Sequence, residues 1–432
     1  MTALSQHIER AALPRAAVNA KLIALITSAA VAFAVFLTGF VVREPAPYEL
    51  FMAVLMPTWA LFGLKVSRTI VPMAALLILF VIGGMISMTQ MAELGDIPLY
   101  LAVTFFLALT GIFYAAVLES RPDLYVLVFW AWTAAAIATA ALGIAGYFGL
   151  FPGELFTLYG RAAGAFKDPN VFGPFLVLPA MFMLQRILAG RSAAMPLYVA
   201  VLVFLSAGVL FSFSRGAWGL YAFSATFLAG GLYLGSSSNL FRLRILVMGI
   251  AATAMLVIAL VVALQLPGVA DVFSDRAQLA QPYDTARLGR FARFVIGFQM
   301  AIEHPLGIGP LEFGQMLGED THNIWLKALL DYSWLGFAAY LTLIVLTLAG
   351  GFRILFRDRP WQPWLLTAYV VFVGHVLVGT VIDTNHWRHF YLLLGMIWGA
   401  MALEARHRRK QAHARASTPY TARARDFELQ LH

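Results

Sequence analysis

Apolar residues in this chain do not alternate with polar ones at the period of a surface strand or an amphipathic helix. They run almost unbroken for about 20 residues at a time, the length a helix needs to cross a bilayer. Short polar stretches separate the runs. Twelve such spans are expected, over 21–42, 48–64, 69–90, 97–117, 124–150, 170–189, 195–213, 216–235, 245–267, 323–351, 363–382 and 389–405. The pattern predicts an all-α integral membrane protein of about 12 transmembrane helices, with a large outer loop over 268–321 between spans nine and ten. Residues 1–405 then form one polytopic membrane domain, and 406–432 a basic tail.

Composition agrees with the pattern. The 432 residues are 61% hydrophobic and 12% charged, more apolar surface than a soluble fold of this length hides. The absence of cysteine excludes disulfides, thiolate metal sites and cysteine nucleophiles. The N-terminal MTALSQHIERAALPR carries no small-residue cleavage site, so the first span is expected to be an uncleaved anchor.

Charge orients the spans. With the N-terminus inside, most of the 30 Lys and Arg residues fall in inner loops and in the tail, as the positive-inside rule requires. An even number of spans returns the C-terminus inside. The tail is polar and expected to be disordered and to touch anionic lipid. The exceptions are Arg43, Arg161, Lys167, Arg215, Arg276, Arg287, Arg290, Arg293, Lys327 and Arg388. Most gather in or beside three outer features: LFTLYGRAAGAFKDPN, the tight turn FSFSRGAWGLY, and the segment 268–322. Cations collected at the outer edge suit an anionic group at the outer leaflet. The plainer reading is snorkelling and pairing with Asp271, Asp275, Asp284 and Glu303.

Within the outer segment, Leu288, Phe291, Val295, Phe298 and Ile302 share one face of an expected amphipathic helix suited to a membrane surface. Arg290 and Arg293 lie on another side, and Arg287 in its first turn. HPLGIGP breaks that helix. Thr321 is expected to cap the next one, with His322 in its first turn and Asn323 beside it. Lys327 and Asp331, four apart, can pair. A helix N-terminus disfavours cationic histidine, leaving His322 able to accept a proton. The alternative is an interfacial histidine bonded to a loop carbonyl. Asp168 reads as the turn residue before span six. Asp383, His386, Arg388 and His389 mark the outer start of span twelve, whereas His375 lies inside span eleven as a helix–helix hydrogen-bonding residue.

No nucleotide-binding glycine loop, zinc pattern or paired-aspartate metal site is present, so no cofactor and no metal are expected. A transporter or lipid flippase remains an alternative, although it should carry polar residues near the bilayer midplane at broken helices.

Three pieces carry a family likeness. FSFSRGAWGLY resembles the Ser-x-Ser-Arg-Gly segment of the O-antigen ligase and Wzy-type polymerase superfamily of bacterial envelope enzymes. RLGRFARFVIGFQMAIEHPLGIGPLEFG resembles its Arg-initiated helix ending in His-Pro-Leu-x-Gly-x-Gly. HNIWLKALLDYSWLGF resembles its His-Asn-x-x-Leu-x-x-Leu-x-acidic pattern, with Ser333 where a glycine is usual. RAAGAFKDPNVFGPF also looks like a segment common in these proteins. The likeness spans about residues 160–350. It implies a metal-independent, inverting, GT-C-like glycosyltransferase in the bacterial inner membrane, with its active face and loop 268–321 periplasmic and both termini cytoplasmic. The implied donor is a glycan on undecaprenyl diphosphate. By the family pattern, Arg215 and Arg287 bind the diphosphate and stabilise its developing charge, and His322 orients or deprotonates the acceptor hydroxyl. Arg161, Lys167, Arg290, Arg388 and Asn323 are further substrate-binding candidates. The expected acceptor is another lipid-linked repeat unit, which makes a polymerase of O-antigen or exopolysaccharide. Transfer to lipid A core would instead make a ligase. Membrane lipids are expected partners and nucleic acid is not.

Overall fold

The computed structural model describes residues 15–190, 193–265, 270, 273–274 and 289–429. The described chain is helical almost throughout; eleven of the apolar runs each fall on one helix, and the run 323–351 on two. These are α1 (Arg15–Leu37), α2 (Pro47–Leu61), α3 (Val71–Met88), α4 (Ile97–Ser120), α5 (Leu124–Tyr147), α6 (Pro169–Ala189), α7 (Met195–Phe211), α8 (Arg215–Gly235) and α9 (Asn239–Ala263). After α9 come three shorter helices, α10 (Arg290–Glu303), α11 (Glu312–Leu317) and α12 (Ile324–Asp331), then α13 (Ser333–Ile354), α14 (Gln362–Val378) and α15 (Arg388–Leu429). Seven of the described helices are long and apolar enough to cross a membrane: α1, α3, α4, α5, α6, α8 and α13. The protein is therefore an all-α, multi-pass membrane protein. The only paired strands among the described residues are two-residue pieces, Thr157–Leu158 and Arg161–Ala162, in the loop between α5 and α6.

Helix α6 is the most enclosed of the seven, against α7, α8, α5 and α14. On the other side of the core, α15 lies along α4, and α13 along α3. Large apolar side chains stay exposed on the outer helices, including Leu25 and Ile26 of α1 and Leu243 and Ile250 of α9. In water such surface would be costly; in hydrocarbon it is the expected outside.

Contacts between loops gather them into two groups. One group holds the loops that follow α2, α4, α6, α8 and α13, and the C-terminal half of α15. There Arg357, Arg359 and Arg408 converge on the buried carboxylate of Glu404, and Arg244 bonds the carbonyls of Ile187 and Gly190 at the end of α6. The other group holds residues 44–49, 148–168, 212–215, 304–323 and 379–388, where the candidate chemistry lies.

Two expectations change. The run 323–351 is not one helix but two, broken between Asp331 and Ser333. Ser333 sits at φ 61°, in the left-handed region that glycine occupies without steric cost. The break follows Tyr332, whose ring stacks on Phe80 of α3 at 4.0 Å. The tail, expected to be disordered from 406, instead continues α15 to Leu429. Its alanines and arginines are good helix formers, so polarity alone does not end the helix.

Candidate functional site

The turn FSFSRGA is shaped by its own backbone. Phe213 adopts φ 44°, which reverses the chain between α7 and α8. Ser214 then caps α8, its Oγ accepting from the Ala217 amide. Arg215 becomes the first residue of α8, half-buried, at the end where the helix carries unsatisfied amides and partial positive charge. Guanidinium and helix terminus together favour an anion there.

Arg161 braces this turn. Its Nε donates to the Ser212 carbonyl at 2.8 Å and one Nη to Asn170 Oδ1 at 2.9 Å, and the residue is buried. The loop that carries it folds through Gly164 at φ 55°, so close to α5 that a Cβ would lie 2.6 Å from the Thr139 carbonyl oxygen. Asp168 takes the turn role read from the sequence, accepting from the Asn170 amide at the start of α6.

The segment after α10 is fixed to the bundle through its backbone. The Ile308 amide donates to the Leu330 carbonyl and the Gly309 amide to Ser87 Oγ, each at 2.9 Å. Gly307, at φ 86°, comes so near Ser87 that a Cβ would overlap its Oγ. Helix α10 packs Phe294 and Ala301 inward against Phe313 and Leu326. Phe291, Val295, Phe298 and Ile302 on its other face are more than half exposed, the surface-helix character read from their spacing. Arg293 points inward and pairs with Glu319. Arg290 opens the helix. Arg287, with Arg276, lies outside the described residues.

His322 is not in the first turn of the following helix. Asn323, rather than Thr321, is the N-cap of α12, its Oδ1 accepting from the amides of Trp325 and Leu326. His322 precedes it at φ 49°, half-buried. A left-handed backbone at a non-glycine residue is uncommon and concentrates at functional positions. Thr321 Oγ1 lies 3.4 Å from Asp383 Oδ1, and the Ile324 amide donates to the Gly379 carbonyl at 2.8 Å. His322 is thereby held beside the carboxyl group of Asp383.

The same loop, 379–387, meets the start of α8. A Cβ on Gly379 would lie 2.8 Å from Ile324 Cγ2, and one on Gly216 would lie 3.6 Å from Val378 Cγ1. The starts of α8 and α12 therefore both abut the end of α14. Arg215 and His322, more than 100 residues apart in sequence, belong to one neighbourhood.

Beside Asp383 opens a cavity of about 280 Å³ lined by Lys167, Lys327, Arg388, Glu44, Asp168, Asp320 and Asp383, with Tyr100 and His386 on its wall. Arg388 is buried and pairs with Glu49 and, at 3.4 Å, with Glu44; Lys167 lies 3.5 Å from Glu44. Lys327 pairs with Asp331 at 3.0 Å, as its spacing predicts, and also with Asp320. Asn385 Nδ2 donates to the hydroxyls of Tyr100 and Tyr332 at 2.7 and 3.1 Å, and Thr104 Oγ1 bonds both Tyr332 Oη and His386 Nε2 at 2.9 Å. Sequence reading missed Glu44, Glu49 and Asp320 at this site, because their partners are set by the fold. His375, read as joining two helices, instead bonds the Val371 carbonyl of its own helix.

Lys327 is the buried keystone of the charged group. Its substitution by Met leaves Asp331, fully buried, without its cation. Loss of about 3–5 kcal/mol of stability is expected, read as a lower thermal midpoint in detergent. Lys327→Arg should recover part of it.

Two groups of loop 379–387 have displaced proton affinities. Burial, with Lys327 and Arg388 nearby, lowers His386 to about 3. Burial raises Asp383 above the usual carboxylate range. His386 is thus neutral when folded and protonates more readily when unfolded. Its contribution to stability is complete above pH 6.5 and is lost as pH falls from 6.5 towards 3. Asp383 acts in the opposite sense, its contribution falling as pH rises from about 4. The His386 component is the difference between wild type and His386→Gln. The variant should show the smaller drop in thermal midpoint between pH 7 and pH 4.

Compared with known proteins, the chain matches no family model and no curated sequence.

Proposed function

We propose that this protein is a twelve-span, GT-C-like glycosyltransferase of the bacterial inner membrane, acting at the periplasmic face with both termini cytoplasmic. It moves a glycan from undecaprenyl diphosphate to an acceptor sugar hydroxyl, and joins repeat units of a surface polysaccharide. The acceptor oxygen attacks the anomeric carbon, and the bond from that carbon to the diphosphate oxygen breaks. His322, beside Asp383, takes the hydroxyl proton. The diphosphate leaves with the bonding electrons, and Arg215 at the α8 terminus balances its charge, with Arg287 the further cation implied by the resemblance. Arg161 keeps the Arg215 turn in place. The exposed apolar face of α10 suits the bilayer surface, where a lipid-linked donor presents its headgroup.

The observation that supports this reading is the convergence of the three resembling motifs. They are distant along the chain, yet Arg215, the HPLGIGP bend and His322 lie at one end of an apolar bundle, around a polar loop and an open cavity.

Orientation has its own test. A cysteine at Ser274 should react with an impermeant maleimide on intact spheroplasts, and one at Ser417 only after lysis. The reverse labelling would place the site on the wrong face for the donor.

The function is tested by deleting the protein's gene from its host and examining the lipid-linked glycans. Accumulation of single repeat units on undecaprenyl diphosphate is expected. Accumulation of long lipid-linked polymer would identify a ligase acting on lipid A core, and an unchanged lipid pool would overturn the proposal.

A further inference from the structure

The cavity beside Asp383 carries a charge pattern unlike the one at Arg215. Three cations line it, and each already faces a carboxylate: Lys167 faces Glu44, Arg388 faces Glu44 and Glu49, and Lys327 faces Asp320 and Asp331. Four carboxyl groups line it, those of Glu44, Asp168, Asp320 and Asp383, against three cations, and Glu49 and Asp331 hold two of those cations from outside the lining. Such a lining suits no phosphate. It does suit hydroxyl groups, because a carboxylate accepts hydrogen bonds from them strongly. At about 280 Å³ the cavity lies at the small end of ligand sites, with room for about one sugar ring. Its wall includes Tyr100 and His386, whose rings lie 4.3 Å apart between centroids at a 33° tilt. It adjoins His322 through Asp383 and Thr321.

We propose that this cavity holds one uncharged sugar residue of the acceptor and discriminates against acidic sugars. The assignment to the acceptor rests on the glycosyltransferase reading; the binding preference follows from the cavity's own charges. A uronate in the cavity would set its carboxylate against Glu44, Asp320 and Asp383. Glu44 is the member at the rim, 45% exposed, and it is shared by Lys167 and Arg388. Its removal releases part of two cations towards the cavity.

The test is calorimetric titration of the purified full-length protein with neutral trisaccharides of glucose and of galactose, and with trigalacturonate. At least one neutral trisaccharide should bind at least about tenfold more tightly than the uronate at low salt. Glu44→Gln should narrow that gap severalfold by improving uronate binding, and Tyr100→Ala should weaken neutral binding. Uronate binding equal to or tighter than neutral binding, or no saccharide binding at all, would overturn the proposal. So would a gap that Glu44→Gln leaves unchanged. Selective binding without any transfer from a lipid diphosphate donor would leave the subsite standing and count against the glycosyltransferase reading instead.

Discussion

If the protein is the proposed glycosyltransferase, His322→Ala should lower glycan transfer by about 10²–10⁴-fold, the usual worth of a positioned proton acceptor. The donor's affinity should change little, because in the proposed arrangement the cation and helix terminus at Arg215 hold the diphosphate. The two effects separate in a binding measurement with the lipid diphosphate donor and a single-turnover transfer assay. If His322 only braced the entry to α12, the variant would lose thermal stability and donor affinity together. That outcome is distinguishable because the brace has other parts. The Asn323 cap and the Ile324–Gly379 hydrogen bond do not involve the imidazole. The left-handed backbone at His322 adds a control, since His322→Gly relieves the conformational cost yet removes the same imidazole. It should be as inactive as His322→Ala and at least as stable.

Arg215→Ala has a comparably large effect by a different route. It is expected to abolish transfer while the protein still inserts and folds, because Ser214 still caps α8 and Arg161 still holds the Ser212 carbonyl. Arg215→Lys keeps partial activity, since an ammonium lacks the bidentate contact that a guanidinium makes with phosphate oxygens. Donor affinity should fall in the order wild type, Lys, Ala. Wild-type turnover by Arg215→Ala would remove the diphosphate from this end of α8. Arg161→Ala is expected to act more weakly and through the turn, lowering stability along with activity.

The fold was largely legible in the sequence because hydrocarbon imposes a length rule. Uninterrupted apolar runs found their helices, including the short α2 and α14. The amphipathic helix of the outer segment was legible too, since four apolar residues on one face stay exposed while Phe294 and Ala301 pack inward. The break at Ser333 was visible only as a departure from a motif. A serine there gives no sign that the backbone turns left-handed, because what holds that turn is a tertiary contact, Tyr332 on Phe80. The site divided the same way. Lys327–Asp331 follows from helical spacing. Arg388 with Glu49 and Glu44 joins residues 339 and 344 apart, and no local rule pairs them. Arg161 read as a free cation aimed at substrate, whereas the folded loop uses its guanidinium to hold Ser212 and Asn170. Composition cannot distinguish an arginine that braces a turn from one that meets a ligand.

The measurement that bears most directly on the central claim is transfer by the purified protein in liposomes, supplied with an undecaprenyl diphosphate-linked glycan and a second lipid-linked repeat unit. The account predicts a lengthened lipid-linked product with inverted anomeric configuration at the new bond. One undecaprenyl diphosphate is released for each bond formed, and both product and release are lost in His322→Ala. An intact donor after prolonged incubation, or donor carried across the bilayer with no glycosidic bond made, would contradict it.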